Sequence, residues 1–225
     1  MTIGKNRDEI AEAYDSPPWW YDVRGFFILT FAYNSTIGTQ LRFFGPNFGP
    51  EHIEIACGTG TLLQMIMKWR RRHKLPKVKV IGIDYAPSML AGARKRFAND
   101  PQVTVQHADA AQLPFADNSF DTANIANSIH CFPAIDGALT DILRVLKPGG
   151  TLAANVLLYP TGFTPLRWAA QKINDWGIRK GILYSPFRQE DIRQKMLAAG
   201  YEIASDFKAG NTWNVVARKP MALQQ

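Results

Sequence analysis

The sequence predicts an α/β fold: a doubly wound, mostly parallel seven-stranded sheet with an N-terminal helical cap and a C-terminal antiparallel hairpin. Three observations predict it. Between residue 51 and about residue 159, short β-branched runs alternate with helical stretches of about ten residues, the pattern of a parallel sheet covered on both faces. The first run opens directly onto a glycine loop, in "IEIACGTGTLL" at residues 53–63. The chain closes with two extended runs, "YEIASDF" and "TWNVVAR", flanking "KAGN", which reads as an antiparallel hairpin.

Residues 1–50 form the helical, aromatic cap. "NRDEIAEAY" reads as a short helix capped by Asn6 or Asp8, and "SPPWW" stops it because proline cannot continue a helix. A second helix is expected over residues 26–44, where Thr30, Asn34, Gly38 and Arg42 recur every four residues as one polar stripe. "GPNFGP" ends it. The main domain, residues 51–219, then begins. Its strands are "HIEIAC", "KVKVIGID", "QVTVQHA", "FDTANIAN" and "GTLAANVLLY". Its helices are "TGTLLQMIMKW", "APSMLAGARKRF" and "AIDGALTDILRVL". A helical insertion at about residues 160–187 breaks the alternation. "SPFRQEDIRQKMLAAG" reads as a helix opened by Ser-Pro and closed by Gly200.

With 225 residues, 46% of them hydrophobic, the chain can bury the core of one globular domain. Two cysteines, Cys57 and Cys131, imply no disulfide framework, and with only His130 beside them no metal site is expected. The polar N-terminus lacks the apolar stretch of a secretory signal. The apolar run "GFFILTFAY" is far shorter than the roughly 20 residues of a spanning helix, so a cytoplasmic location is expected. The net charge of +7 permits attraction to anionic membranes, nucleic acid or acidic substrates. Its cations concentrate in "KWRRRHKLPKVK", residues 68–79. That stretch reads either as a peripheral landing patch on anionic membrane or as solvated charge complementing a helix C-terminus. No RNA-binding module accompanies it, so nucleic acid is not an expected partner. The oligomeric state stays open.

The glycine loop lets backbone approach a nucleotide-like cofactor. A dinucleotide fingerprint needs a small residue three positions after its second glycine, and Leu63 stands there. No Gly-Lys-Ser/Thr follows, which excludes a phosphate-binding loop of that type. The loop therefore favours a cofactor without a diphosphate. Asp84, at the end of the second strand, can accept both hydroxyls of a ribose. Asp109, after the third strand, can accept an adenine amine, with the Ala110 N–H reaching a ring nitrogen.

Glu54, "ACGTG", "GIDYAPSML", "HADAAQLPFADNSFD" and "RVLKPGG" together resemble class I S-adenosylmethionine-dependent methyltransferases, which have a Rossmann-like fold. The likeness covers residues 51–155. It is closest to the small-molecule branch that includes the ubiquinone/menaquinone-biosynthesis methyltransferases. The resemblance implies S-adenosylmethionine as cofactor. It places Glu54 at the acidic end of the first motif, and Ala56, Gly58 and Gly60 in the loop that receives the methionine part. It gives Asp84 to the ribose, Tyr85 and Met89 to the adenosine flank, Asp109 and Ala110 to adenine, and Asn127 to the methionine portion. "LKPGG" becomes a structural turn into the fifth strand. One departure is Ala56, where the family usually has glycine.

Methyl transfer needs a base when the acceptor starts protonated, as a phenol, catechol or activated carbon does. His130 in "NSIHCFP" is the candidate, since it follows the fourth strand and many related enzymes carry a histidine there; its alternative is simple packing near the loop. Tyr14 and Trp20 in "YDSPPWWYD" are expected as walls of the acceptor pocket. The function expected is methylation, at carbon or oxygen, of a small and largely apolar acceptor of quinol-like or phenolic type. The alternatives are N-methylation of a lipid-headgroup amine at the membrane surface, RNA methylation, and a binding protein that keeps the fold without transfer.

Overall fold

The computed structural model describes residues 35–161, 164–180 and 186–221. Five parallel strands come first: β1 (Glu51–Ile55), β2 (Lys79–Asp84), β3 (Val103–His107), β4 (Phe120–Ile125) and β5 (Leu146–Leu157). The final pair, β6 (Glu202–Ala209) and β7 (Thr212–Arg218), is the hairpin, and β7 inserts antiparallel beside β5. The spatial order is β3-β2-β1-β4-β5-β7-β6. This is the doubly wound, seven-stranded architecture that the alternation predicts. The order reverses between β1 and β4, which opens a crevice at the carboxyl ends of those strands.

Helices α2 (Thr61–Arg72), α3 (Pro87–Phe97) and α4 (Ile135–Val145) cover the sheet. Helical spacing explains each. In α2, Leu63, Ile66, Met67 and Arg70 are buried; in α4, Ile135, Ala138, Leu139, Ile142 and Val145 are. Alternation along the strands feeds two cores. Ile53, Ile55, Ile83, Ile125 and Trp213 pack on the α4 side, and Val80, Val103 and Ala153 join Leu63, Met67 and Phe97 on the other. Leu63 thus lies in the core, facing Gly82 of β2.

Two element boundaries differ from the sequence pattern. Helix α1 (Ile37–Phe44) does not extend continuously back to residue 26, because Thr36 is extended and its hydroxyl accepts the Thr39 N–H as an N-cap. The remainder of the cap, with Tyr14 and Trp20, lies outside the described residues. Helix α6 (Gln189–Ala198) starts at Gln189 rather than at the Ser-Pro pair. Before it, Phe187 makes a parallel bridge to Leu158, with Phe187 N–H donating to the Leu157 carbonyl at 3.0 Å and Tyr159 N–H to the Phe187 carbonyl at 3.1 Å. That bridge pins the base of the insertion, which carries α5 (Thr164–Lys180), to the carboxyl end of β5. "LKPGG" is a bulge at the start of β5: Phe120 pairs with Leu146, but Thr122 pairs with Thr151. No described helix is long and apolar enough to cross a membrane.

Candidate functional site: a cleft at the strand ends

A cleft opens at the carboxyl ends of β1–β4. Its walls are Ala56 and Gly58 after β1, Asp84, Tyr85 and Met89 after β2, Asp109 and Ala110 after β3, and Asn127 after β4. Eight of the expected cofactor residues thus converge, although they span 72 positions of sequence (127 − 56 + 1).

The loop after β1 explains the glycines and the exception among them. Ala56, Gly58 and Gly60 all take left-handed backbone, with φ of 53°, 57° and 75°. Glycine reaches that region without strain, whereas alanine costs on the order of 1 kcal/mol there. Gly60 itself does not line the cleft. It caps α2, and a Cβ on it would lie 2.5 Å from the Phe97 ring. Ala56→Gly is therefore expected to stabilise the fold by about 0.5–1 kcal/mol, net of the extra freedom that glycine gains when unfolded. Urea denaturation reads this directly; a loss of stability would mean that the Ala56 methyl packs usefully.

Asp84 has two tasks. One oxygen accepts the Gly58 N–H at 2.8 Å and the other the Ala86 N–H at 2.9 Å, so the carboxylate clamps the glycine loop to the end of β2. Each oxygen keeps acceptor capacity for a ligand hydroxyl. Burial pushes the Asp84 carboxyl up, opposed by those backbone N–H groups and by nearby His107. His107, unremarked in the sequence, also supports the neighbouring residue: its Nε2 lies 3.0 Å from the Tyr85 carbonyl and its ring tilts against the Tyr85 ring. Asp109 accepts the Ala111 N–H at 3.0 Å, which shapes the turn after β3. Arg144 anchors the rest of that connection through the Leu113 and Phe115 carbonyls, Asp117 and Asp141.

Glu54 is not in the cleft wall. It lies 2% exposed, in a polar row that crosses the sheet. Its Oε2 accepts from Asn124 at 3.3 Å and sits 3.4 Å from His52 Nε2. Asn124 in turn accepts from Asn47, which binds Thr151. Burial raises the Glu54 carboxyl to about 8, and burial followed by Arg70 lowers His52 well below the usual imidazole range. Near neutral pH both groups are therefore predominantly uncharged, and their contact is a hydrogen bond rather than an ion pair.

His130 lies on the 3₁₀ turn Ile129–Cys131, 6% exposed, while Ser128, Cys131 and Phe132 beside it reach the cleft. Burial lowers its imidazole to about 3. The wall made by Cys131, Phe132, Pro133, Ala134 and Ala138 was not visible as a site in the sequence, since nothing marks these residues but their position after the fourth strand. Cys57, by contrast, turns away toward Gly82 in the core, so the two thiols do not share the cleft wall.

The basic stretch also resolves. Arg70 is buried, donates to the Gly45 and Pro76 carbonyls, and stacks over Phe48; it is a structural residue. The rest surrounds the C-terminus of α2 and the start of β2, where Lys79 pairs with Glu51. A helix that starts at the cleft and runs back along the sheet for 12 residues, about 18 Å, ends at the opposite edge. The patch therefore faces away from the cleft.

The described cleft wall contains two carboxylates and no Lys or Arg. That suits a nucleoside carrying a cationic group and disfavours a diphosphate, which would meet negative charge without a counterion. A comparison with protein families agrees: residues 53–154 match the model described as "Methyltransferase domain". This chain carries a methyltransferase domain.

Relatives of the methyltransferase domain include a demethylmenaquinone methyltransferase of Thermus thermophilus, 39% identical over 109 residues, covering 48% of this chain and 46% of that protein. A Staphylococcus aureus demethylmenaquinone methyltransferase is 33% identical over 121 residues, covering 54% and 48%. The matched region is thus just under half the length of these curated relatives. A solved S-adenosylmethionine-dependent methyltransferase of Thermotoga maritima superposes with a TM-score of 0.65 at 20% identity, covering 90% of this chain and 98% of that one, which establishes the shared fold.

Proposed function

We propose that this chain transfers the methyl group of S-adenosylmethionine to a small, largely apolar acceptor of quinol-like or phenolic type. The observation that carries the reading is the cleft itself, two carboxylates at adjacent strand ends leading to an apolar wall beyond β4. The names of the two curated relatives support a quinol-like acceptor.

In this reading Asp109 and the Ala110 N–H hold adenine, Asp84 holds the ribose hydroxyls, and Tyr85 and Met89 flank the adenosine. The loop from Ala56 to Gly60 receives the methionine part. The bound cofactor supplies an electrophilic methyl on a sulfonium. The protein's work is orientation: strand ends on a rigid sheet fix the donor, and Phe132, Pro133 and Ala138 offer an apolar seat. His130, neutral at working pH, can take the acceptor's proton only as methyl transfer withdraws electron density from the acceptor. Tyr14 and Trp20 remain candidate walls of the acceptor pocket.

A labelled-methyl transfer assay with reduced naphthoquinols and simple phenols, followed by product identification, tests the proposal. Labelled quinol or phenol ether is the expected result; bound cofactor without product from either class would contradict it. His130→Ala is expected to lower kcat by about 10²-fold or more while leaving the Kd for S-adenosylmethionine within about twofold. Unchanged turnover with the parental pH profile would remove His130 from the chemistry.

A further inference from the structure

Four hydrogen bonds hold Asn127 in the cleft wall. It follows β4 with a left-handed φ of 57°, an uncommon conformation for a side-chain-bearing residue. Two residues from other elements hold it there. From α1, Gln40 donates to Asn127 Oδ1 at 2.8 Å and accepts from Asn127 Nδ2 at 3.0 Å, a closed amide pair. From β5, Asn155 donates to the same Oδ1 at 2.6 Å and accepts the Asn127 backbone N–H at 2.6 Å. Gln40 is 1% exposed and Asn155 is fully buried, so neither bond competes with water.

The chain thus spends two buried amides from separate elements on one loop residue that lines the cleft. With the Asn127 side-chain oxygen and backbone N–H both engaged, its main-chain carbonyl is the acceptor left for a ligand. The strand order sets what that ligand part is. Asp109, Asp84, the glycine loop and Asn127 follow β3, β2, β1 and β4 in spatial sequence. Three strand spacings, about 14 Å, separate the first from the last. A nucleoside whose base and ribose engage the two carboxylates therefore presents its tail, not its ring, to Asn127.

We propose that Gln40 and Asn155 are positioning residues that fix the end of β4 to receive the amino-acid tail of the cofactor. The inference rests on the cofactor reading above and makes α1 part of the binding apparatus. Gln40→Met keeps the volume and removes the amide. The test is calorimetry with two ligands, S-adenosylhomocysteine, which has the tail, and 5′-methylthioadenosine, which lacks it. The variant is expected to bind S-adenosylhomocysteine about tenfold more weakly or worse, and methylthioadenosine within about twofold of the parent. Equal weakening of both ligands would mean general damage to the cleft and would overturn the proposal, as would no change in either. If the parent binds neither, the cofactor reading falls and the proposal with it. Should Gln40→Met not fold, Asn155→Ser reads the same contrast from the β5 side.

Discussion

Asp84→Ala is expected to weaken S-adenosylmethionine binding by about 3–4 kcal/mol, a few-hundred-fold in Kd. The size comes from its two tasks. Losing the charged acceptor for ribose hydroxyls accounts for about 1.5–3 kcal/mol. The remainder comes from the loop: the Gly58 and Ala86 N–H groups lose their partner, and the left-handed turn through Ala56 loses its clamp. Asp109→Ala, which releases the Ala111 N–H and leaves the glycine loop's clamp in place, should cost less, about 1–2 kcal/mol. Asp84→Asn separates the tasks. It keeps an oxygen for one backbone N–H while losing the charge, so it should be more stable than Asp84→Ala in urea yet still bind weakly. Equal binding by Asp84→Ala and the parent would remove ribose recognition from this residue.

The second large effect is on stability against pH. Glu54 has a folded pKa of about 8 against an ordinary carboxyl value of 4.5. Where the folded group binds its proton more tightly than the unfolded one, stability is full below the unfolded value and is lost as pH rises through the folded one. Glu54 therefore destabilises the fold progressively between pH 4.5 and 8, by up to about 4–5 kcal/mol for so thoroughly buried a group. His130 acts in the other window. Its folded pKa of about 3 lies below the ordinary imidazole value of 6.5, so its contribution is intact above 6.5 and is lost on acidification toward 3; His52 shifts in the same direction. The opposing slopes place maximum stability near pH 6.5. Glu54→Gln, which can still accept from Asn124, is expected to abolish the decline above pH 6.5 and to be about 2–4 kcal/mol more stable than the parent at pH 8. Urea midpoints across pH 5–8.5 measure this. A decline that survives the substitution would place its source elsewhere.

Much of the site was legible because its determinants are local. Asp84 and Asp109 each end a β-branched run, and position at a strand end is a property the sequence displays. Ala56 was also visible as a departure, and the left-handed φ it shares with Gly58 and Gly60 gives the physical reason glycine is usual there. What stayed hidden depends on contacts between distant segments. The motif position of Glu54 suggested a cofactor role, yet its neighbours are His52 and Asn124, and only the sheet brings Asn124 to it. Gln40 is 87 residues from Asn127, and no periodicity marks it. Thr36 could have been recognised as a cap, since Asn34, Ser35 and Thr36 form a polar run before an apolar turn; the four-residue stripe through that run favoured a longer helix. Arg70 looked like one cation among the seven of residues 68–79. Its helical phase with Leu63, Ile66 and Met67 was the available sign that it points inward.

The fold, the domain and the cleft converge on one cofactor, and its binding is the most direct test. Titrating the purified chain with S-adenosylmethionine in a calorimeter should give saturable one-site binding that Asp84→Ala largely removes. Absence of binding at millimolar cofactor, by a chain that melts cooperatively, would contradict the account.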